Sequence, residues 1–103
     1  MRKAPEACVT MADVRAGVDS LDAELVALLA ERFRFMDAAA RIKPERGQVR
    51  DEPRKRQVIE NAAAHARSLG LDPGIIADLW EQLVEASIAH ELQAWDRART
   101  AAE

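Results

Sequence analysis

The sequence contains no tyrosine, a single cysteine, and only two tryptophans and two phenylalanines among 103 residues. Sheets draw on β-branched and aromatic side chains. This poverty of aromatics, beside a 49% apolar fraction rich in alanine, therefore points to close-packed helices. With Cys8 as the lone thiol, no intrachain disulfide and no cysteine-based metal site is possible. His65 and His90 fit no metal-ligand spacing with each other or with Cys8. No run of apolar residues approaches a bilayer span. The N-terminal MRKAPEACVTMADVR is broken by acidic residues before it reaches the apolar length of a signal peptide. A cytoplasmic protein without membrane contact is the expectation. Internal repeats and Ser/Gly-rich linkers are also missing, so residues 1–103 read as one domain, too short for a cofactor-binding α/β enzyme.

Charge is plentiful but balanced: 15 basic residues against 18 acidic give a net charge of -3 and a pI near 5.4. Such a chain has no overall field for holding a polyphosphate backbone, which argues against nucleic-acid binding. Lys3, Lys43 and Lys55 are the only lysines; all other basic residues are arginine, the side chain that grips carboxylates and phosphates bidentately. A GC-rich genome would produce the same excess.

Pro, Gly and charge clusters divide the chain into three helical stretches. The first runs from about Met11 to Lys43, with Thr10 as N-cap, Asp13 at the third helical position, and Pro44 as terminator. The second covers about Glu52 to Leu69, with Pro53 in its first turn and Gly70 as the stop. The third opens at Asp72, an N-cap followed by Pro73, and continues to about Arg99. At about 1.5 Å per residue the first helix is roughly 50 Å long, more than the roughly 35 Å diameter of a globule of this size. Its apolar stripe (Val14, Val18, Leu21, Leu25, Leu28, Leu29) nevertheless continues through Met36 and Ala39. A second copy must then cover the excess, giving an all-α, intertwined homodimer of three-helix chains. The alternative is a fold-back near Arg32 to Phe35, where no Gly or Pro stands to make the turn.

Polar residues interrupt the faces that should be buried. Arg32 and Lys43 are three helical turns apart to within about 20° and share the face of Val14, Leu21, Leu25 and Met36. An unpaired buried cation costs several kcal/mol, so either a carboxylate from another helix or an anionic ligand must meet each one. On the third helix Ser87 and Glu91, at i and i+4, share the face of Ile76, Leu79, Trp80, Leu83, Val84 and Ala94. A salt bridge from Glu91 to Arg32 within the bundle would explain them without a ligand. Arg54 borders the apolar face of the second helix, and Arg15 lies well off the first helix's stripe, where it can reach another subunit. The excess of inward cations points to an anionic small molecule. Trp80 and Trp95 read as core and dimer-edge packing. Pro44 to Arg50 is either a mobile flap or a solvated connector.

The stretches VRAGVDSLDAELVALLAER, Lys43 before the loop, VRDEPRKRQVI and EASIAHE, in this order and spacing, resemble the all-helical chorismate mutase family, including isochorismate-pyruvate lyases. The likeness covers nearly the whole chain. It implies an intertwined helical dimer with two pockets, no cofactor and no metal. Position by position, Arg15 resembles the arginine that crosses from the partner subunit to a substrate carboxylate. Arg32 resembles the one binding a carboxylate within its own chain. Lys43 matches the lysine on the ether oxygen and a carboxylate, and Glu91 stands where many members carry Gln beside that oxygen. Asp51 matches the residue near the ring hydroxyl, Arg54 an arginine at the pocket mouth, and Ser87 a ligand-contacting serine. Lys55 occupies a position where mutases commonly carry a Glu on the ring hydroxyl. The implied activity is the rearrangement of chorismate to prephenate. The chain ends KAPEACVTMADVR and IAHELQAWDRAR look closer to the lyases, which form salicylate and pyruvate. A non-catalytic helical dimerisation module is the remaining alternative.

Overall fold

Thr10 caps the first helix through its hydroxyl, which accepts the Asp13 N–H at 3.1 Å, while the Asp13 carboxylate reaches back to the Val9 N–H at 3.1 Å. The first bond satisfies one of the N–H groups that every helix start leaves without a partner, and the second ties the residue before the cap to the first turn. The computed structural model describes residues 2–102, and all three long elements in it are helices: α1 (Met11–Ile42), α2 (Glu52–Ser68) and α3 (Pro73–Ala102). Short 3-10 turns occupy Pro5–Ala7 and Arg46–Gln48, and no strand occurs among the described residues. The fold is all-α. α1 runs unbroken through Arg32 to Phe35, so the fold-back alternative is overturned.

The other boundaries follow equally local rules. Asp51 caps α2, its Oδ1 accepting the Arg54 N–H at 3.0 Å. At the far end Gly70 takes a φ of 73°, and the Leu71 and Gly70 N–H groups return to the carbonyls of Ala66 (2.9 Å) and Arg67 (3.2 Å). This paired closure needs a left-handed residue, which glycine adopts without steric cost. Asp72 then starts α3 by accepting the Gly74 N–H at 2.8 Å, with Pro73 in the position where its missing N–H does no harm.

The chain divides into two units, Met1–Arg34 and Phe35–Glu103. In the first, the N-terminal arm is tied to α1 by the ion pairs Arg2 to Glu24 (2.6 Å) and Lys3 to Asp13 (3.3 Å). The Val9 N–H and the Lys3 ammonium hold the Asp13 carboxyl below its usual range. Val14, Val18, Leu21, Leu25 and Leu28 are all exposed on this part of α1, a continuous apolar stripe open to solvent in the single chain.

The second unit carries a core in which α2 packs on α3. Val49, Val84 and Ile88 are buried at its centre, with Val58, Ile59, Trp80, Leu92 and Trp95 packed around them. Ala62, Ala63 and Ala66 are buried on α2, and such small side chains let helix backbones approach closely. Two polar residues, Ser87 and Glu91, are buried in the same unit. No helix is long and apolar enough to cross a membrane among the described residues.

Candidate active site

Glu91 is 4% exposed, and its carboxylate meets the Lys43 ammonium at 2.7 Å. One helical turn before it on α3, Ser87 is 3% exposed and donates its hydroxyl proton to the Leu83 carbonyl at 2.7 Å. The i, i+4 spacing thus places both on a buried face, as the sequence requires. Lys43 sits just past the last residue of α1, where its N–H closes the helix on the Ala39 carbonyl at 2.9 Å. Its partner carboxylate comes from α3, one of the two solutions that sequence allows for an inward cation. The ion pair is locally neutral, so its positive charge is already answered within the protein.

Lys43 also lines an open cleft of about 600 Å³, together with Ile42, Pro44, Gln48, Arg50, Asp51, Glu52 and Pro53. Lys43 and Asp51 therefore share one concavity. Asp51 spends one carboxylate oxygen on the α2 cap. Arg54 is exposed at the surface of the unit, where its guanidinium donates to Gln57 Oε1 at 2.7 Å. Arg15 is exposed and Arg32 half-buried, both on the part of α1 in the first unit. His90 bonds Asp37 at 2.7 Å and is half-buried; His65 is exposed. Among the described residues no group of His, Cys, Asp or Glu is arranged to hold a metal ion.

The segment between α1 and α2 is an anchored connector. Val49 is buried; Arg46 makes a two-point contact with Asp96 at 2.8 and 3.2 Å; and Glu45 and Gln48 close the intervening turn on each other. Arg50 pairs with Glu85 and Glu52. Lys55 donates to Glu81 at 2.7 Å and Glu85 at 2.8 Å. Its ammonium is committed to α3 carboxylates, and their hydrogen bonds raise its pKa above the usual lysine value.

Glu85 is the hub of this cluster. Hydrogen bonds from Arg50 and then Lys55 pull its carboxyl down from about 4.5 to about 2. A depressed carboxylate adds stability that is complete above the unfolded value and is lost as pH falls through the folded one. Glu85→Gln is expected to lower the melting temperature at neutral pH, with the difference from the parent chain shrinking between about pH 4.5 and 2. Melts across that range check it. The group is solvent-accessible, so the effect is modest.

Neither this cluster nor the contacts at the end of α1 were singled out from sequence. Trp95 donates its indole N–H to the Lys43 carbonyl at 3.0 Å, and Arg99 donates to the carbonyls of Ala40 (2.7 Å) and Lys43 (2.6 Å). The available signal was the i, i+4 spacing of Trp95 and Arg99, which puts them on one face of α3.

Residues 14–92 match the family described as chorismate mutase type II. The chain belongs to that family. A relative named isochorismate pyruvate lyase, from Pseudomonas aeruginosa, is 30% identical over 100 residues, covering 97% of this chain and 99% of its own length. Membership supports an enzyme of chorismate mutase type. It agrees with the resemblance drawn from the order of VRAGVDSLDAELVALLAER, Lys43, VRDEPRKRQVI and EASIAHE. The family match ends at residue 92, whereas the likeness to the lyase extends over nearly the whole chain.

Proposed function

We propose that this protein rearranges chorismate to prephenate as a homodimer, using electrostatics and conformational restraint with no cofactor. The observation that carries the reading is the ion pair of half-buried Lys43 with buried Glu91, its lysine lining an open cleft. Chorismate is a dicarboxylate whose rearrangement needs no nucleophile. A site assists it by holding the enolpyruvyl arm over the ring, neutralising both carboxylates, and stabilising charge on the breaking ether oxygen. Arg32 and Arg15, the latter from a second copy, take the carboxylates and restrict the reacting geometry. Lys43 donates to the ether oxygen. Ser87, Asp51 and Arg54 complete the ligand contacts. The exposed stripe from Val14 to Leu28 supports the dimer, because burying such a surface is the main drive for helix association.

Glu91 assists only when it carries a proton, since a carboxylate accepts hydrogen bonds and cannot donate one. One proton delivered to the pair turns a neutral couple into a net cation with an additional donor. A dianionic ligand and that proton therefore favour each other's binding.

A second reading, release of pyruvate from isochorismate with formation of salicylate, is favoured by two observations. The relative similar over nearly the full length bears the lyase name. Lys55, in place of a mutase carboxylate, is drawn toward Glu81 and Glu85. Both reactions break an ether bond in a cationic pocket.

Purified protein given chorismate and isochorismate separately distinguishes the readings by product. Prephenate from chorismate at the higher kcat/KM supports the mutase; salicylate and pyruvate from isochorismate at the higher value supports the lyase. A ligand that binds only the folded dimer also raises its stability, by about 2.7 kcal/mol at a hundredfold excess over Kd. No turnover of either substrate, with no rise in melting temperature on adding prephenate, would leave a dimerisation module.

A further inference from the structure

The end of α1 has a local problem that its own sequence creates. The Ala40 carbonyl would ordinarily accept the N–H of residue 44, but that residue is proline and has none. Arg99 supplies the missing donor: its Nη1 reaches the Ala40 carbonyl at 2.7 Å and its Nη2 the Lys43 carbonyl at 2.6 Å. The indole of Trp95 donates to the same Lys43 oxygen at 3.0 Å, and the Arg99 guanidinium lies 4.2 Å from the centre of the Trp95 ring. Three donors thus converge on two carbonyls around the residue whose ammonium pairs with Glu91. A guanidinium at a helix C-terminus also suits the negative end of the helix dipole.

We infer that Trp95 and Arg99 are positioning residues for Lys43, fixing its main chain so that its side chain is held at the ligand's reacting bond; this rests on the proposed function. A flat guanidinium stacked on an indole has little freedom, and two of its N–H groups address carbonyls one helical turn apart. Arg99→Lys keeps the charge and loses the rigid fork that addresses both carbonyls at once. The device lies on the C-terminal part of α3, beyond the residues matched to the family.

The experiment is a double-mutant cycle. Arg99→Met is expected to lower kcat between about tenfold and a hundredfold, the usual cost of a small misplacement of a catalytic group, with a smaller change in KM. Arg99→Lys and Trp95→Phe should each lose less, the first being a partial rescue by the conservative substitution. In a Lys43→Met background the Arg99→Met loss should disappear, because there is no longer an ammonium to place. Far-ultraviolet circular dichroism and melts identify any variant that fails to fold; Trp95→Phe, which keeps an aromatic ring and deletes the indole N–H, then serves in its place. Equal losses in both backgrounds, or a fully active Arg99→Met, overturn the inference while the proposed function stands. Absence of turnover in the parent chain overturns both.

Discussion

Lys43→Met is expected to lower kcat/KM by about 10²- to 10³-fold on whichever substrate the protein prefers, the loss seen when one preorganised donor to a developing oxyanion is removed. Methionine keeps much of the lysine stem and deletes the charge. The same change leaves Glu91 as a buried carboxylate with its partner gone, which is costly in its own right. Stability and activity therefore both fall, and one variant cannot separate them. Lys43→Met combined with Glu91→Gln separates them, since it removes both charges of the pair. The double variant is expected to regain most of the melting temperature and none of the lost turnover. Steady-state kinetics beside thermal melts checks this; recovery of activity together with stability would show that Lys43 matters only as a structural counter-ion.

Glu91→Gln changes the pH profile more than the rate at its optimum. If a protonated Glu91 donates to the ether oxygen, kcat/KM of the parent chain falls about tenfold per pH unit on the alkaline limb, as loss of one essential proton requires. Gln donates at every pH and flattens that limb. The two profiles should cross, leaving the variant the faster enzyme at alkaline pH. Profiles of kcat/KM recorded at constant ionic strength read the effect. Parallel curves would mean that Glu91 acts only by holding Lys43.

Which parts of this arrangement are legible in the sequence depends on the range of the interactions. Thr10 with Asp13, Asp72 with Pro73, and Gly70 after α2 announce helix boundaries because a cap is settled within four residues. Ser87 and Glu91 stand out because a 3.6-residue period puts them among apolar neighbours, and both are buried. The commitment of Lys55 to Glu81 and Glu85 is another matter. It depends on how α2 is rotated against α3, and with 15 cations and 18 acids the possible pairings are too many for spacing to choose among them. Arg99 was hidden for a different reason. Its acceptors are backbone carbonyls, which carry no side-chain signature, and only Pro44 marks one of them as lacking its helical donor. Asp51 shows both kinds of reading at once, since the residue proposed at the ring hydroxyl also caps α2.

Isothermal titration of prephenate into the protein at mildly alkaline pH, repeated in buffers of different ionisation enthalpy, counts the protons taken up with the ligand. An ion pair that opens to a dianion by accepting a proton at Glu91 predicts net proton uptake with the ligand in the parent chain and close to none in Glu91→Gln. Saturable binding with the same proton count in both proteins would contradict it.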